Sequence, residues 1–226
     1  MDIRVISIGA LEANSLWGAR APVRTGHATT TLIRSGKRNV LVDPGLPAAA
    51  IAARLGERAN LRPGQITDVF LTTFKPETVR GIEAFENAEW WVHENEREGV
   101  GVPLAQTLKR AMDDGEEELQ KALERDVAIL RRCKAAPDKL CEQVDLFPMF
   151  GVSPGACGLI ISEAVHTTVI CGDAIPTAEH LEQGQVLKSC WDVAQAKESM
   201  MEAVEIADVL ILGRDNLVIN PTRRPF

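Results

Sequence analysis

The stretch ITDVFLTTFKPETVRGI, from Ile66 to Ile82, joins a short apolar segment to a polar loop and then to a helix-like segment. Its first part, ITDVFLTT, is rich in β-branched and aromatic residues, which predicts a short buried strand. The segment ETVRGIEAF, from Glu77 to Phe85, predicts a helix, and AEWWVHE, from Ala88 to Glu94, predicts the next strand. The order of strand, polar loop, helix and strand is typical of an α/β protein.

The residues before this stretch predict three strands and a helix. The predicted strands are IRVISIGA, TTTLIRSG and NVLVDPG, and SGKR between the last two predicts a hairpin turn. The alanine-rich segment AAAIAARLGER, from Ala48 to Arg58, predicts a helix that ends near NLRPGQ.

The region from about Arg97 to Cys141 differs in composition, because it is rich in Glu, Lys, Arg and Leu. Its apolar residues Leu119, Leu123, Val127 and Leu130 have helical spacing, which predicts a helical insertion with one buried stripe. The acidic segment DDGEEE is typical of a solvated first helical turn, and an interaction patch is the alternative.

The rest of the chain predicts more strands and one long helix. Strands are predicted in VDLFPMF, GLIISEA, TTVICGDA and DVLILG. The segment WDVAQAKESMMEAVEIA predicts a helix, with Asp192 and Gln195 at capping-box spacing. The 226 residues are expected to form one domain, residues 1–226, that contains the helical insertion at about 97–141.

The composition excludes some classes of function. The formal net charge is −7 and Lys and Arg form no long run, which argues against a nucleic-acid interface. The chain has neither a signal-peptide pattern at its start nor an apolar run long enough to span a bilayer, so we expect no membrane association and a cytoplasmic location. The five cysteines form no CxxC pattern, which favours reduced and mostly buried thiols.

Five motifs carry a resemblance to a known family. They are, in chain order, NVLVDPGLP, ITDVFLTTFKPETVRGI, LFPMFGVSPGACGLII, VICGDA and VLILGRD. In this order they resemble the metallo-β-lactamase superfamily over most of the chain. The resemblance implies an α/β fold that is a four-layered αββα sandwich.

The resemblance also implies where a metal site would lie. Members of the family have a His-x-His-x-Asp-His turn, a histidine after a Pro-Gly, a bridging aspartate in Gly-Asp, and a last histidine after the final strand. Such ligands hold two zinc ions that generate hydroxide from water. The matching positions of this chain hold Thr73, Lys75, Glu77, Thr78, Ala156, Asp173 and Arg214. Only Asp173 is retained as a ligand, so we expect no metal cofactor.

The replacements follow a charge pattern. A pocket that loses two dications but keeps its carboxylates contains buried negative charge, which is costly unless it is paired. Lys75 and Arg214 supply positive charge at these positions. We therefore predict that both contact Asp173 or Glu77, forming an ion-pair network where relatives hold metal. The alternative is that Lys75 and Arg214 point into solvent.

Other reactive side chains give weaker patterns. His27, His93, His166 and His180 match none of the family's ligand positions, which favours separate hydrogen-bonding roles over a relocated metal site. Cys157 and Cys171 are near matched positions, and we expect buried apolar packing for both in preference to a reactive thiol. Asp43 matches a structural aspartate of the family that holds the turns near the metal loop.

Three functions remain open from the sequence. The first is a non-catalytic member of the fold that binds a small anionic ligand or a protein partner, with Lys75 and Arg214 as anion-binding groups. In that hypothesis Thr73 and Thr78 donate hydrogen bonds, and Asp173 and Glu77 are counterions. The second is a hydrolase that uses one metal through Asp173, Glu77 and a non-standard ligand, or that works without metal. The third is a subunit whose helical insertion mediates association, for example as a homo-oligomer.

Overall fold

A computed structural model describes residues 1–19 and 21–222 of the chain. The first of its two sheets has six strands in the order β1-β2-β3-β4-β5-β6. These are β1 (Asp2–Ser7), β2 (Thr30–Ser35), β3 (Arg38–Val42), β4 (Asp68–Leu71), β5 (Glu89–Val92) and β6 (Lys134–Ala135). The first three strands pair antiparallel, and β3 to β6 pair parallel. The predicted hairpin is confirmed, because Ser35 pairs with Arg38 across the turn.

The second sheet has the order β12-β11-β10-β9-β8-β7. Its strands are β7 (Lys139–Cys141), β8 (Val144–Pro148), β9 (Cys157–Ser162), β10 (Thr167–Gly172), β11 (Val209–Leu212) and β12 (Leu217–Ile219). All neighbours pair antiparallel except β10 and β11, which run parallel.

Six α-helices accompany the sheets in the described residues. They are α1 (Ala48–Ala59), α2 (Pro76–Val79), α3 (Glu94–Asp114), α4 (Glu117–Arg132), α5 (Ala178–Gln183) and α6 (Val193–Ile206). Asp192 caps α6, since its Oδ1 accepts hydrogen bonds from Ala194 N and Gln195 N. The predicted capping box with Gln195 is not complete, because Asp192 N donates to Gly151 O instead. None of the helices in the described part of the chain has the length and apolar character needed to cross a bilayer.

Three groups of buried apolar side chains define the layers. One lies between the two sheets and includes Phe70 of β4 and Leu159 of β9. A second packs α1 and the end of α4 on the first sheet, and a third packs α6 on the second sheet. The order of layers is helix, sheet, sheet, helix, so the predicted αββα sandwich is confirmed.

The structure differs from the sequence predictions in four segments. The segment ETVRGIEAF is not one helix, because α2 ends at Val79 and a 3₁₀ turn follows at Ile82–Phe85. Between them the N–H of Gly81 donates to Pro44 O at 2.8 Å, outside any helical ladder. The strands β6 and β7 lie within the region of about 97–141, which also contains most of α3 and all of α4. Helix α5 and the edge strand β12 were not predicted.

The predicted buried stripe of α4 is buried only near the end of the helix. Leu130 is buried, Val127 and Leu123 are half-buried, and Leu119 is exposed. The end of the α3–α4 hairpin that is farthest from the sheet therefore has little apolar cover.

Candidate functional site

Three chain segments meet at one edge of the sandwich. They are the loop after β4, which contains Thr73 and Lys75, and the residues that follow β10 and β11, Asp173 and Arg214. Gly172, just before Asp173, has a φ of 51°, and a Cβ there would collide with the side chain of Thr72. A glycine at this position therefore lets the ends of β4 and β10 approach closely.

Asp173 accepts hydrogen bonds from two cations. Arg214 donates from Nε to Oδ1 at 2.6 Å and from Nη2 to Oδ2 at 2.9 Å. Lys75 donates from Nζ to Oδ2 at 3.0 Å. The side chains of Asp173 and Arg214 are 3% and 5% exposed, whereas that of Lys75 is 27% exposed. The predicted contacts of Lys75 and Arg214 with Asp173 are thus present, and only Lys75 of the three reaches solvent to any extent.

The two cations set the protonation of the buried carboxyl. Burial by itself raises the pKa of Asp173, but the charges and hydrogen bonds of Arg214 and Lys75 outweigh it and hold this pKa well below its usual range. Burial by itself lowers the pKa of Arg214, and the Asp173 carboxylate outweighs it, so that this pKa is raised above its usual value. Both groups are therefore charged at neutral pH.

Asp43 lies behind this ion pair and holds the start of the loop. Its two carboxyl oxygens accept hydrogen bonds from the N–H of Thr72 at 2.8 Å and from Thr72 Oγ1 at 2.6 Å. The structural role that the resemblance implied for Asp43 is therefore seen in its contacts. Burial raises the pKa of Asp43 from its usual 3.8 to about 7, although the Thr72 hydrogen bonds oppose the rise.

The other predicted site residues have different surroundings. Thr78 Oγ1 donates within its own turn, at 2.7 Å to Thr73 O and 2.9 Å to Lys75 O, and it accepts from Lys75 N. Thr73 Oγ1 is buried and has no hydrogen-bond partner among the described residues. Glu77 is half-buried and makes no side-chain hydrogen bond or ion pair within the described part of the chain. A ligand contact with Thr73 or Thr78 would require the loop to move, because both are buried.

A cavity of about 290 Å³ opens over the ion pair. It is lined by Leu11, Glu12, Ala13, Gly26, Lys75, Glu77, Asp173, Leu187, Ser189 and Arg214. A second cavity of about 330 Å³ adjoins it and shares Leu11 and Arg214, with Asn14, Trp17 and Arg24 in its wall. The site residues Lys75, Glu77, Asp173 and Arg214 thus come together in one cavity, and Thr73 and Thr78 are not part of its lining.

Comparisons with known proteins agree with this architecture. A family model described as the metallo-beta-lactamase superfamily matches residues 23–72. A Thermotoga maritima protein assigned to the metallo-β-lactamases superposes with a TM-score of 0.68 at 16% identity, over 96% of this chain and 98% of its own. The chain has the fold of the metallo-β-lactamase superfamily.

Two further structures show the same metallo-β-lactamase fold. A Staphylococcus aureus protein assigned as a metal-dependent hydrolase has a TM-score of 0.71 at 15% identity, over 96% of this chain and 91% of its own. AidC, a dizinc quorum-quenching lactonase, has a TM-score of 0.62 at 17% identity, over 79% of this chain and 67% of its own. No curated protein sequence matches the chain. At these identities the likeness establishes the metallo-β-lactamase fold and not the reaction.

None of the four histidines is in the lining of the cavity over Asp173. His93 caps α3 through its Nδ1, and His180 is buried with its Nδ1 2.8 Å from Thr177 Oγ1. His166 pairs with Glu163 at 2.9 Å, and His27 Nε2 lies 3.1 Å from Ile8 O. In residues 1–19 and 21–222, no group of three or more His, Cys, Asp or Glu side chains is arranged to hold a metal ion.

The cysteines near the matched positions are buried. Burial raises the pKa of the Cys157 thiol to about 12 and raises that of Cys171 further. Neither thiol is therefore available as a thiolate near neutral pH, in line with the expected packing role. Cys190, beside the cavity, is half-buried, and burial also raises its pKa.

The sequence did not predict the role of one residue that supports the loop. Glu96, in the first turn of α3, is fully buried and accepts from the N–H of Phe74 at 2.8 Å. Its other oxygen accepts from Ser153 Oγ at 2.6 Å and from the N–H of Gly155 at 3.1 Å. Glu96 thereby ties the loop after β4 to the segment before β9. The preceding residues, 93–95, give no local signal for this role, because the partners of Glu96 lie 22 to 59 residues away in the chain.

Proposed function

We propose that this protein is a metal-independent member of the metallo-β-lactamase fold, and that its altered site binds a small ligand with an anionic group. The observation that carries the proposal is the joint attachment of Lys75 and Arg214 to Asp173. In the resemblance, Asp173 matches the metal-bridging aspartate, and the two cations stand at positions of histidine ligands. The residues present do not fit a dinuclear zinc site, because two fixed positive charges repel a dication at the same place.

The ligand hypothesis rests on donors that remain free. An ammonium group has three N–H donors and a guanidinium has five. Asp173 takes one from Lys75 and two from Arg214. Because the Lys75 side chain is 27% exposed and lines the cavity, its remaining donors favour a carboxylate or phosphate of a ligand. In this proposal Lys75 binds the ligand, and Arg214 holds Asp173 in place.

The metal part of the proposal is tested on protein purified without chelator. We expect far less than stoichiometric zinc, manganese or iron by elemental analysis. We also expect no rise of the melting temperature when Zn²⁺, Mn²⁺ or Fe²⁺ is added, because a ligand that binds the folded state stabilises it by mass action. Stoichiometric metal held at this site would overturn the proposal and would favour a hydrolase that uses Asp173, Glu77 and a non-standard ligand.

The ligand part is tested with small carboxylates and inorganic phosphate by calorimetry. The substitution Lys75→Met removes the exposed donors, and we expect it to abolish binding. The control Lys197→Met removes the same charge from an exposed residue of α6 outside the cavity, so binding should persist. Equal binding by both variants would place the ligand elsewhere.

A second candidate function is self-association through the α3–α4 hairpin. Three apolar side chains of this hairpin are largely exposed: Val102, Met112 and Leu119. A continuous apolar patch is typical of a contact with another protein, and these side chains are the ones that such a patch on the hairpin would use. Light scattering of the wild type and of a Met112→Lys/Leu119→Lys variant tests this function. A wild-type monomer at high concentration would eliminate it.

A further inference from the structure

The carboxylates around the cavity outnumber the cations. Glu12, Glu77 and Asp173 line the wall together with Lys75 and Arg214. Both cations hydrogen-bond to Asp173, whereas Glu12 and Glu77 make no side-chain hydrogen bond or ion pair among the described residues. The cluster of Asp173, Lys75 and Arg214 carries one excess positive charge, and Glu12 and Glu77 add two carboxylates that no cation of the described residues contacts, so the wall as a whole carries one excess negative charge.

The two carboxylates that no cation of the described chain contacts differ in their access to water. Glu12 is exposed, so solvent screens its charge, whereas Glu77 is half-buried at the first turn of α2. A partly desolvated carboxylate without a partner is unfavourable, and a positive group beside it relieves that cost. The negative charge of Glu77 attracts Arg214 and contributes to its raised pKa, but the guanidinium makes its hydrogen bonds with Asp173 and none with Glu77. The positive group that best suits Glu77 is therefore one brought by a ligand.

The same carboxylates act against a purely anionic ligand. An anion that binds the exposed donors of Lys75 enters a cavity whose wall also includes Glu77 and Glu12. Like charges at short range in a partly enclosed site oppose its binding. A cationic group on the same molecule converts that repulsion into attraction.

The size of the cavity limits the ligand. About 290 Å³ is slightly below the range for small-molecule sites, about 300 to 1,000 Å³. Leu11 and Leu187 give the wall apolar surface, and Ser189 adds a hydroxyl. These features suit a short molecule with two charged groups joined by a few carbon atoms.

We infer that the ligand is a small zwitterion of the amino-acid class, whose anionic group binds Lys75 and whose ammonium group binds Glu77. This inference rests on the proposed ligand-binding function and names the ligand class. Glu12 strengthens the attraction for the ammonium group at the mouth of the cavity. The apolar part of the ligand contacts Leu11 and Leu187.

Matched probes of different length test the ligand class. Glycine, γ-aminobutyrate and ε-aminocaproate are compared by calorimetry with acetate, butyrate and caproate, and with the amines of the same lengths. We expect at least one zwitterion to bind about tenfold more tightly than its matched acid and its matched amine.

Substitutions at the acidic wall test the same assignment. We expect Glu77→Gln to weaken zwitterion binding about tenfold and to leave binding of the matched acid equal or stronger. Glu12→Gln should act in the same direction to a smaller extent. The control Glu202→Gln removes a carboxylate from an exposed residue of α6 outside the cavity and should change neither.

The outcomes separate this inference from the proposed function. If an acid binds as tightly as its zwitterion and Glu77→Gln changes neither, the zwitterion assignment is overturned and anion binding at Lys75 stands. If no acid, phosphate or zwitterion binds the folded wild type, the ligand-binding function itself is overturned. Thermal unfolding of each variant verifies that it is folded, and Glu12→Gln provides the readout should Glu77→Gln fail to fold.

Discussion

Arg214 and Asp173 form a two-point contact in which Nε and Nη2 of the guanidinium each donate to a different carboxylate oxygen. Both side chains are buried, so water compensates neither charge when the partner is removed. The fork geometry of arginine suits a carboxylate in this way, and a lysine at position 214 would provide only a point charge.

We expect removal of either partner to destabilise the fold strongly. Arg214→Met and Asp173→Asn should each lower the free energy of unfolding by about 3 to 5 kcal/mol, because the first leaves the buried Asp173 carboxylate with Lys75 alone and the second leaves the buried guanidinium without its carboxylate. The double variant should lose less than the sum of the two, with a coupling of about 2 kcal/mol or more in urea unfolding. The exposed pair of Arg54 and Glu57 is the control, and its coupling should be below about 0.5 kcal/mol. Additive losses at Arg214 and Asp173 would contradict the pairing.

The raised pKa of Asp43 predicts a dependence of stability on pH. The pKa rises from 3.8 to about 7 on folding, so between these values the folded chain keeps a proton that the unfolded chain has lost. The folded state then binds more protons, and its stability falls as the pH increases toward about 7 and levels off above it. The low pKa of Asp173 has the opposite effect, because it makes stability fall as the pH decreases below the usual pKa of an aspartate.

Asp43→Asn tests this dependence because it removes the titration. As the pH rises from about 5 to about 7.5, the free energy of unfolding of the variant should increase by about 1 to 3 kcal/mol relative to that of wild type, since one pKa unit corresponds to about 1.4 kcal/mol. Urea unfolding at several pH values measures the difference. Asp113→Asn, at an exposed position, should show no such change. A constant difference between Asp43→Asn and wild type would disprove the shift.

Glu96 is expected to be a major structural residue. Glu96→Ala leaves three donors without their acceptor, those of Phe74, Ser153 and Gly155, and should cost about 3 kcal/mol or more. Glu96→Gln keeps one acceptor oxygen and should cost about 1 to 3 kcal/mol. The neighbouring exposed residue gives the control, since Glu94→Gln should change stability by less than about 0.5 kcal/mol. Urea unfolding provides the values, and a neutral Glu96→Ala would refute this role.

Histidines introduced at the matched positions should create zinc affinity. The changes are Thr73→His, Lys75→His, Thr78→His, Ala156→His and Arg214→His. They supply neutral nitrogen ligands and remove two cations from Asp173. Calorimetric titration with zinc should show binding at least about tenfold tighter than in wild type. A variant that retains Arg214 is the control and should bind less tightly, because the guanidinium still occupies both oxygens of Asp173; equal affinity would contradict the charge argument.

The features predicted from the sequence depend on local chemistry or on the resemblance. The β2–β3 hairpin was predicted from the residues SGKR between two β-branched segments, and in the structure Gly36, with a φ of 57°, lies in its two-residue turn. The ion pairs of Asp173 were predicted because a buried carboxylate requires compensation and only two matched positions carry positive charge.

The features that were missed depend on distant parts of the chain. Gly81 ends the helical geometry of ETVRGIEAF because it packs against the backbone of Pro44 and Leu46, more than 30 residues earlier. Glu96 looks like an ordinary acidic residue of a first helical turn, where the helix dipole favours it. Only the fold brings Phe74, Ser153 and Gly155 around it.

The attachment of Asp173 to two cations also constrains how this site changes during evolution. Losing Arg214 first leaves a buried carboxylate with a single lysine, and losing Asp173 first leaves two cations side by side. We expect both intermediate sequences to be destabilised, so a mutational path between the two kinds of site should pass through less stable proteins. Positions 75, 173 and 214 should therefore covary among descendants of this sequence, with substitutions arriving as a set.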